Sequence, residues 1–477
     1  MICRCAILAL LMIQSACALN TTGYGFVIPP DSGPDEEDAA ENEVFIDDDG
    51  REPGDEPEAE GPEDEVADVV EEEQPPLCNP AGCPLGCHAT EPRCLCVDAS
   101  NIDEQTFRGQ ISGGLVLASG ETVTLDTNQG SIQGTATYRG GGDPGTAKNG
   151  IYWDTFTPAG GAMVSVFGVS TLVVPTGSKI VVMGSLGVMF FVMGEVRIQG
   201  VIEARASAVN PGPGGGAGGP DSGQDGAVCG GNSQGKGGGQ GDSYYGELEA
   251  GGGGGGASGR GGDGGDVTGY GVFQGGSGGD PDLNVALIPL SGGCGGGAGG
   301  GPDTSGGDGG YGGGGGGAIQ ISSCGTITID SPGGIDVAGA GGQCGLYGSG
   351  GGGGGSGGAI LLEGASIYNH GLLAANGGGG GSGGYTTDTS CLQNGFDGAF
   401  SMSQAPGGLG NSNASDGGAG GGSSSPYGLP GGDLDHEGNG GGGGGAAGRI
   451  RLNYQTVFEQ GATSPVSISS SQGLIIW

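Results

Sequence analysis

The chain is poor in positive charge. Only 13 of its 477 residues are Lys or Arg, against 53 Asp or Glu, which gives a formal net charge of −40. A protein that binds nucleic acid needs a basic face to neutralise phosphate groups, and a polybasic contact with anionic lipid needs one as well. The charge balance therefore excludes nucleic acid as a partner, and it excludes a direct electrostatic contact with a membrane surface.

The chain also lacks several familiar runs and motifs. Its most apolar mature part, residues 163–208, is interrupted by Lys179 and by frequent glycines, so it never reaches the roughly 20 apolar residues that span a bilayer. Residues of high β propensity dominate this part, which favours short strands. No Walker loop follows the glycines, and no Ser-His-Asp set stands out among the three His residues.

What the sequence has in excess is glycine, at 126 of 477 residues. Glycine buries no side chain and loses the most backbone entropy on folding. Much of the chain therefore cannot form an ordinary hydrophobic core.

Residues 1–18 carry the short apolar stretch of a signal peptide. Cleavage after Ala18 would release a plain secreted protein. The alternative is a lipobox, because Ala16-Cys17 resembles the lipidation site of bacterial lipoproteins, although Gln14 departs from the aliphatic residue usual there. We favour the lipid anchor on Cys17. Both interpretations predict a protein that is secreted or held at the outer membrane or cell surface.

Two segments precede the predicted folded part. Residues 19–76 are dominated by Asp and Glu, so they predict a disordered acidic tether, because like charges repel and little apolar surface can be buried. Residues 77–97 form a Cys-rich neck, and a segment this small needs disulfides in place of a core. A zinc site is the alternative for the neck, but the spacing lacks paired C-x2-C knuckles.

Ten cysteines remain when Cys3, Cys5 and Cys17 are set aside from the chain's 13. They divide into five in the neck and five later, and these disulfide candidates are Cys78, Cys83, Cys87, Cys94, Cys96, Cys229, Cys294, Cys324, Cys344 and Cys391. Each group has an odd number, so full pairing requires at least one bridge between the groups. Otherwise each group keeps a free thiol.

Residues 98–208 form a predicted β-strand region, residues 209–454 a glycine-rich repeat region, and residues 455–477 a C-terminal strand cap. In the repeat region, hexaglycine runs lead into similar strands, and each repeated core of roughly 20 residues matches one coil of a β-solenoid. We therefore predict a mostly β fold, a right-handed parallel β-helix-like solenoid with long glycine-rich loops. Its inward aliphatic residues should stack: Ile319, Ile321, Ile327, Ile360, Leu362, Ile450 and Leu452.

The glycine-rich loops allow two conformations. They can be flexible coil, or they can pack side by side as extended left-handed helices, because no side chain keeps the backbones apart. A collagen triple helix is excluded, since no strict Gly-X-Y period is present.

Three features of the sequence resemble those of a known group of proteins. They are the GGGGGG-(A/S) runs followed by I-x-(I/L), the Cys-rich block that ends at Cys94, and the sequence of residues 97–101. They resemble uncharacterised glycine-rich predicted surface proteins and lipoproteins of myxobacteria and related bacteria. The resemblance covers most of residues 78–454. It implies a location at the cell surface and supplies no catalytic residues.

Two motifs carry candidate chemistry. Asp263 and Asp266 lie in a sequence that fits the start of a calcium-binding nonapeptide, but Thr268 occupies its apolar position and no tandem copy follows. We therefore expect no cofactor, with calcium a weak candidate. His370 and the Arg449-Ile450-Arg451 strand faintly match motifs of polygalacturonases, without the paired Asp motif of those enzymes.

These features predict a non-enzymatic secreted or lipid-anchored surface protein with an adhesive or structural role. Its expected partners are the membrane, through the lipid, and cell-surface polysaccharide or another surface component. The alternative is a carbohydrate-active β-solenoid enzyme that acts on polysaccharide. A close pair of carboxylates in a groove of the solenoid would favour that enzyme.

Overall fold

The computed structural model describes residues 95–220, 224–229, 241, 248–269, 271–301, 309–385, 391–435 and 438–470. All of them belong to one compact unit, Glu72–Trp477. The signal peptide, Cys17, the acidic tether and four neck cysteines lie outside the described residues, and so does the zinc alternative for the neck. The predictions for those segments and for the domain boundaries remain predictions.

Strands dominate the described chain, whose helical turns are the short 3-10 segments Glu104–Thr106 and Arg108–Gln110. The strands, numbered in chain order, are β1 (Leu115–Val116), β2 (Thr122–Asp126), β3 (Ser131–Gln133), β4 (Thr137–Arg139), β5 (Gly145–Thr146), β6 (Tyr152–Phe156), β7 (Val164–Val169), β8 (Leu172–Val174), β9 (Lys179–Met183), β10 (Gly187–Val192), β11 (Val196–Ile198), β12 (Val201–Glu203), β13 (Val267–Thr268), β14 (Val272–Phe273), β15 (Ala318–Ile329), β16 (Gly334–Asp336), β17 (Ala359–Asn369), β18 (Leu372–Ala374), β19 (Leu434–Asp435), β20 (Arg449–Glu459), β21 (Ala462–Ser464) and β22 (Ile468–Ser470).

Two large sheets, both mainly parallel, organise these strands. In the first sheet β15 lies beside β10 and β11, and β17, β20 and β22 follow in that order. In the second sheet the order is β2, β9, β12, β16, β18 and β21, and β3 and β4 extend it beyond β2. Neither sheet closes on itself. The predicted mostly β fold is confirmed at this level.

The aliphatic stacking predicted from the sequence is confirmed. The register of β15, β17 and β20 sets Ile319 beside Ile360 and Ile360 beside Ile450, and the next inward row repeats the arrangement two residues later. These side chains are at most 1% exposed and form one core between the two sheets. Each buried aliphatic side chain contributes about 1.5–3 kcal/mol.

The outer face of the first sheet is covered as well. Residues 95–111, which we call the clasp, and residues 283–290 lie on this face and form a second core with Met189, Phe191 and Leu361. Phe107 of the clasp stacks on Tyr152, with ring centroids 4.6 Å apart. Parallel sheets are usually buried on both faces, and this sheet follows that rule.

The glycine-rich residues form a packed bundle. We call the described residues of 210–317, 337–358 and 375–448 that lie outside the strands the glycine bundle. Its central run, residues 350–355, has six neighbouring runs. The run's N–H groups donate to three of them, at Gly300, Gly440, Gln343, Gly297, Gly443 and Ala340. Its carbonyl oxygens accept from the other three, at Gly310, Gly252, Gly381, Gly313, Gly255 and Gly378.

This pattern repeats every three residues, at N···O distances of 2.8–2.9 Å. None of residues 350–355 has a positive φ, so the run is an extended left-handed helix with three residues per turn. A Cβ atom at Gly352 would overlap the carbonyl oxygen of Tyr311, and a Cβ at Gly353 would overlap that of Gly253. The flexible-coil alternative is therefore wrong for these runs, because only glycine lets the backbones approach closely enough to bond directly.

Candidate functional site

Asp263 and Asp266 are partly exposed side chains of the glycine bundle. Residues three apart lie on one side of a three-residue helix, and this spacing places Asp263 and Asp266 on the same side of the run 261–266. Gly278 donates its N–H to Oδ1 of Asp263 at 2.8 Å, and Gly275 donates to Oδ1 of Asp266 at 2.7 Å. The two carboxylates therefore accept hydrogen bonds from N–H groups of the neighbouring run. These N–H groups have no carbonyl partner among the backbone hydrogen bonds of the described residues.

A second pair of side chains does the same elsewhere on the bundle. Cys344 donates its N–H to Oδ1 of Asn394 at 3.0 Å, and Gly341 donates to Oδ1 of Asp397 at 2.8 Å. In both cases one run has an acceptor side chain at every third residue. The adjacent run has an N–H group at every third residue, and the two sets bond to each other. Sequence reasoning missed this role. The available signal was the three-residue spacing of Asp and Asn within a glycine-rich run.

Asp263 and Asp266 also line a polar groove of about 360 Å³, together with Arg260, Gln274 and Asp433. Arg260 forms two hydrogen bonds to Asp263, with N···O distances of 2.7 and 3.0 Å. Asp433 accepts the N–H of Asp266 at 2.9 Å. Each carboxylate of the proposed calcium motif thus has a protein donor, and a calcium ion at Asp263 would compete with Arg260. The calcium site stays a weak prediction.

The most elaborate polar site lies under the clasp. Glu363 of β17 is fully buried, and both of its oxygens accept hydrogen bonds. Oε1 accepts from Oγ of Ser100 at 2.6 Å and from Nδ2 of Asn453 at 3.2 Å. Oε2 accepts from the N–H of Ser100 at 3.0 Å, from Oγ of Ser322 at 2.7 Å and from Nε2 of Gln320 at 3.1 Å. A buried carboxylate is tolerated when its acceptor sites are filled in this way.

Asn101 continues this network to the loop that covers the sheet beside the clasp. Its Nδ2 donates to the carbonyl oxygen of Leu287 and to Oε1 of Gln320, both at 2.9 Å. Its Oδ1 accepts the N–H of Leu290 at 3.1 Å. Asn101 has φ +66°, a left-handed conformation that Asn adopts more readily than most residues. Glu363, Asn101 and their partners thus hold two covering segments on one sheet.

Three cysteine pairs lie at disulfide distance. Cys96 of the clasp pairs with Cys324 of β15. Cys229 pairs with Cys294, and Cys344 with Cys391. The Cys96–Cys324 pair is a bridge between the two cysteine groups, of the kind that full pairing would require. Cys229 and Cys294 also lie near Asp282, but their sulfurs bond to each other and so are not available as metal ligands.

A charged row on the second sheet connects that sheet to the bundle. Asp336 is buried and lies 3.4 Å from Nη1 of Arg205. Nη2 of Arg205 donates to the carbonyl oxygen of Gly398 at 2.6 Å. Burial raises the pKa of Asp336 to about 7, and the nearby Glu203 carboxylate adds to the rise while Arg205 opposes it. The neutral acid is therefore a substantial fraction of this group at pH 7.

The residues that faintly match polygalacturonase motifs lie far apart. Ala359 pairs with Arg449, and His370 follows eleven residues after Ala359, which places it roughly 35 Å along the sheet. Nε2 of His370 lies 2.8 Å from Glu459, and this hydrogen bond raises the pKa of His370. Nε of Arg451 donates to Oδ1 of Asn453 at 2.9 Å. The structure does not bring His370 and the two arginines into one site.

No family model, curated protein or solved structure matches this chain. Within the described residues, none of the helices has the length and apolar character needed to cross a membrane. The three cysteine pairs are compatible with an extracellular location, because disulfides form and persist in oxidising compartments.

Proposed function

We propose that this chain is a non-enzymatic protein of the cell surface, exported by residues 1–18 and anchored by a lipid on Cys17. Its body is a rigid unit with an adhesive or structural role, and its partner is a surface polysaccharide or another surface component. The observation that carries the proposal is the glycine bundle, whose central run bonds six neighbours through backbone groups. Along this central run a Cβ atom at any residue would overlap a neighbouring backbone, so the run itself must consist of glycine.

The stacked strands support the same proposal, with the solenoid as the underlying fold. β15 and β16, β17 and β18, and β20 and β21 each supply one strand to the first sheet and one to the second. Their in-register parallel pairing is what successive coils of a right-handed solenoid would produce. A solenoid is a stiff support, and extended glycine helices fixed to one side of it would present a broad surface.

The bundle offers exposed apolar side chains for contact with a partner. Phe396 is 49% exposed and Leu409 is 64% exposed. They lie on adjacent runs, because Phe396 donates its N–H to the carbonyl oxygen of Pro406 at 3.1 Å. Contiguous exposed apolar groups mark interaction sites on many proteins, and aromatic rings suit the apolar faces of sugars. The proposed relatives are the glycine-rich surface proteins and lipoproteins of myxobacteria and related bacteria.

The anchor is tested with the full chain and a Cys17→Ser variant in a bacterial host. We expect palmitate labelling of the parent, none of the variant, and release of the variant into the medium. Unchanged membrane fractionation of Cys17→Ser would contradict the lipid anchor and leave the adhesive role to be judged by binding.

Binding is tested with the mature protein on a panel of insoluble polysaccharides and on intact cells of the source. We expect Phe396→Ser with Leu409→Ser to reduce retention at least tenfold, while the control Val116→Ser, a 50% exposed valine on β1, keeps it. Release of soluble sugars during the incubation would favour the carbohydrate-active alternative. Equal retention of all three proteins would show that this patch is not the adhesive surface.

A further inference from the structure

A pocket lies where the glycine bundle meets the edge of the first sheet. β22 pairs with β20 from Arg451 to Asn453, so at Arg449 and Ile450 β20 has β17 on one side and no described strand on the other. Both residues line a cavity of about 220 Å³, which we call the edge pocket. The bundle, β20 and the turn between β21 and β22 all contribute to its lining, which includes Ser258, Ser423, Pro426, Arg449, Pro465 and Val466.

Arg449 brings a positive charge without a carboxylate partner to the edge pocket. Its Nε donates to the carbonyl oxygen of Leu283 at 3.0 Å, but its Nη1 and Nη2 have no hydrogen-bond partner among the described residues. No ion pair within the described chain involves Arg449 either. Four other basic residues each pair with a carboxylate: Lys179, Arg197, Arg205 and Arg260. Burial lowers the pKa of Arg449, because its charged form loses water there. A partly buried guanidinium that stays charged at neutral pH would be stabilised by an anionic ligand.

The other lining residues provide groups that suit a sugar. Oγ of Ser258 and Oγ of Ser423 each donate a hydrogen bond to a backbone carbonyl oxygen of the chain. Each hydroxyl oxygen keeps lone pairs that can accept a hydrogen bond from a hydroxyl group of a ligand. Pro426, Pro465 and Val466 add apolar surface to the lining, and Val466 is 70% exposed.

An exposed aromatic ring lies beside the edge pocket. Tyr427 follows Pro426 in the chain and is 57% exposed. A Cβ atom at Gly259 would lie 3.1 Å from Cδ1 of Tyr427, so the ring lies next to the residue that follows Ser258. Aromatic rings can stack on the apolar face of a sugar. The pocket and its rim therefore combine a cation, two hydroxyl acceptors and an aromatic ring.

We propose that the edge pocket binds an acidic sugar, a uronic acid unit of a polysaccharide, through Arg449. Nη1 and Nη2 of a guanidinium form a fork that matches the two oxygens of a carboxylate. Ser258 and Ser423 accept hydrogen bonds from the sugar hydroxyls, and the Tyr427 ring packs on the apolar face of the sugar. This inference rests on the proposed function, because it names the chemical class of the surface polysaccharide.

The inference is tested with the mature protein on beads that carry alginate, a polymer of uronic acids. Neutral dextran, dextran sulfate and polyglutamate are the comparisons, and EDTA is present so that calcium does not bridge carboxylates. We expect stronger retention on alginate than on the three comparisons, and a reduction of at least tenfold in Arg449→Gln. The matched control is Arg197→Gln, which removes the same charge from an exposed arginine on β11 outside the pocket and should keep the retention.

A Val466→Glu variant provides a second measurement, which decides the matter if Arg449→Gln does not fold. Val466 is mostly exposed, so a carboxylate there leaves the fold intact. That carboxylate would pair with Arg449 or repel the carboxylate of the sugar. We expect at least tenfold weaker retention on alginate, with the melting temperature of the parent.

Equal retention of the parent and both pocket variants on alginate would overturn the inference. Stronger retention on dextran sulfate or on polyglutamate would overturn it too, because the pocket would then take sulfate groups or acidic peptides. In these cases the proposed adhesive function stands if the protein still binds cells of the source or another polysaccharide. Failure of the parent to bind any of these surfaces would overturn both.

Discussion

The β stack, by which we mean the two large sheets and the aliphatic core between them, and the glycine bundle are both densely packed. Different groups hold each of them together. In the stack, Ile319, Ile360 and Ile450 exclude water with side chains, and their backbones bond along the sheets. In the bundle, residues 350–355 have no side chains, and this central run bonds six neighbours through its backbone alone. The stack therefore depends on the burial of apolar area, whereas the bundle depends on backbone contact that a single methyl group would prevent. A fold can be dense without a hydrophobic core when glycine is abundant.

The largest effect should come from a charge in the stack. Ile360→Asp places a carboxylate among apolar neighbours on both sides, with no partner for it. We expect a loss of at least about 5 kcal/mol of unfolding free energy, and failure to fold at moderate temperature. Thermal melts against a Val116→Asp control measure it, since Val116 is half exposed. A variant that melts like the parent would show that the stacked aliphatic rows do not hold the sheets together.

A single side chain in the bundle should cost nearly as much. The Cβ of Gly353→Val would overlap the backbone of Gly253 in a neighbouring run. We expect a loss of about 4 kcal/mol, because backbone on every side cannot move aside as a flexible side chain can. The matched control is Gly109→Val, where no atom lies within 4 Å of the added Cβ. Equal melting temperatures for the two variants would mean that the bundle tolerates loosening and is not a structural unit.

The free energy of unfolding should depend on pH through Asp336, whose partner Arg205 connects the second sheet to the glycine bundle. The native pKa of Asp336, raised to about 7, lies above its ordinary value of 3.8. The native state thus holds this proton more tightly than the unfolded state does, and stability falls as pH rises from about 4 to 7 and is level above. The fall is on the order of 4 kcal/mol. In Asp336→Asn this contribution should vanish, and the variant should be more stable than the parent at pH 8.

Denaturant unfolding of the parent and of Asp336→Asn at intervals from pH 4 to pH 8 measures this contribution. The difference between the two proteins isolates Asp336 from other titrating groups. The variant has no carboxyl group at this position, so its own curve reports only the other titrating groups. Parallel curves would therefore contradict a raised pKa at this position.

The smallest of these effects concerns the clasp. Glu363→Gln keeps the shape of the side chain but turns one acceptor oxygen into a donor that faces donors of Ser100 or Ser322. We expect a loss of about 2 kcal/mol and faster hydrogen exchange in the clasp, with the glycine bundle unchanged. The control is Glu459→Gln on the exposed edge. Faster exchange throughout the bundle as well would show that the two regions unfold together and would weaken the distinction between them.

The sequence predicted the stack better than the bundle for a physical reason. The alternation of aliphatic residues at 319, 321 and 327 is local, and repetition of the same spacing at 360 and 450 revealed which rows would meet. A glycine run carries no such information. Residues 350–355 are identical letters, so nothing in them indicates that Gly353 donates to Gly297 or that Gly354 donates to Gly443.

The polar sites show the same limit. The odd cysteine counts meant that full pairing needed a bridge between the two groups, but they could not select Cys96 and Cys324. Ser100 and Glu363 are 263 residues apart and meet only because the clasp folds back onto the sheet. Asp263 and Asp266 accept N–H groups of a neighbouring run, and no local pattern in the sequence reveals the position of that run.

The Cys96–Cys324 bond also determines how tension would pass through the molecule. A pull applied through the chain before residue 95 reaches Cys96 and crosses the covalent bond into β15, an interior strand of the first sheet. If the opposing pull acts at the C-terminal end, the loop between the two cysteines, which are 228 positions apart in the sequence, carries none of the load. The hydrogen bonds of the clasp, the early strands and much of the glycine bundle are then spared. Only the strands and runs after Cys324 would have to bear the force.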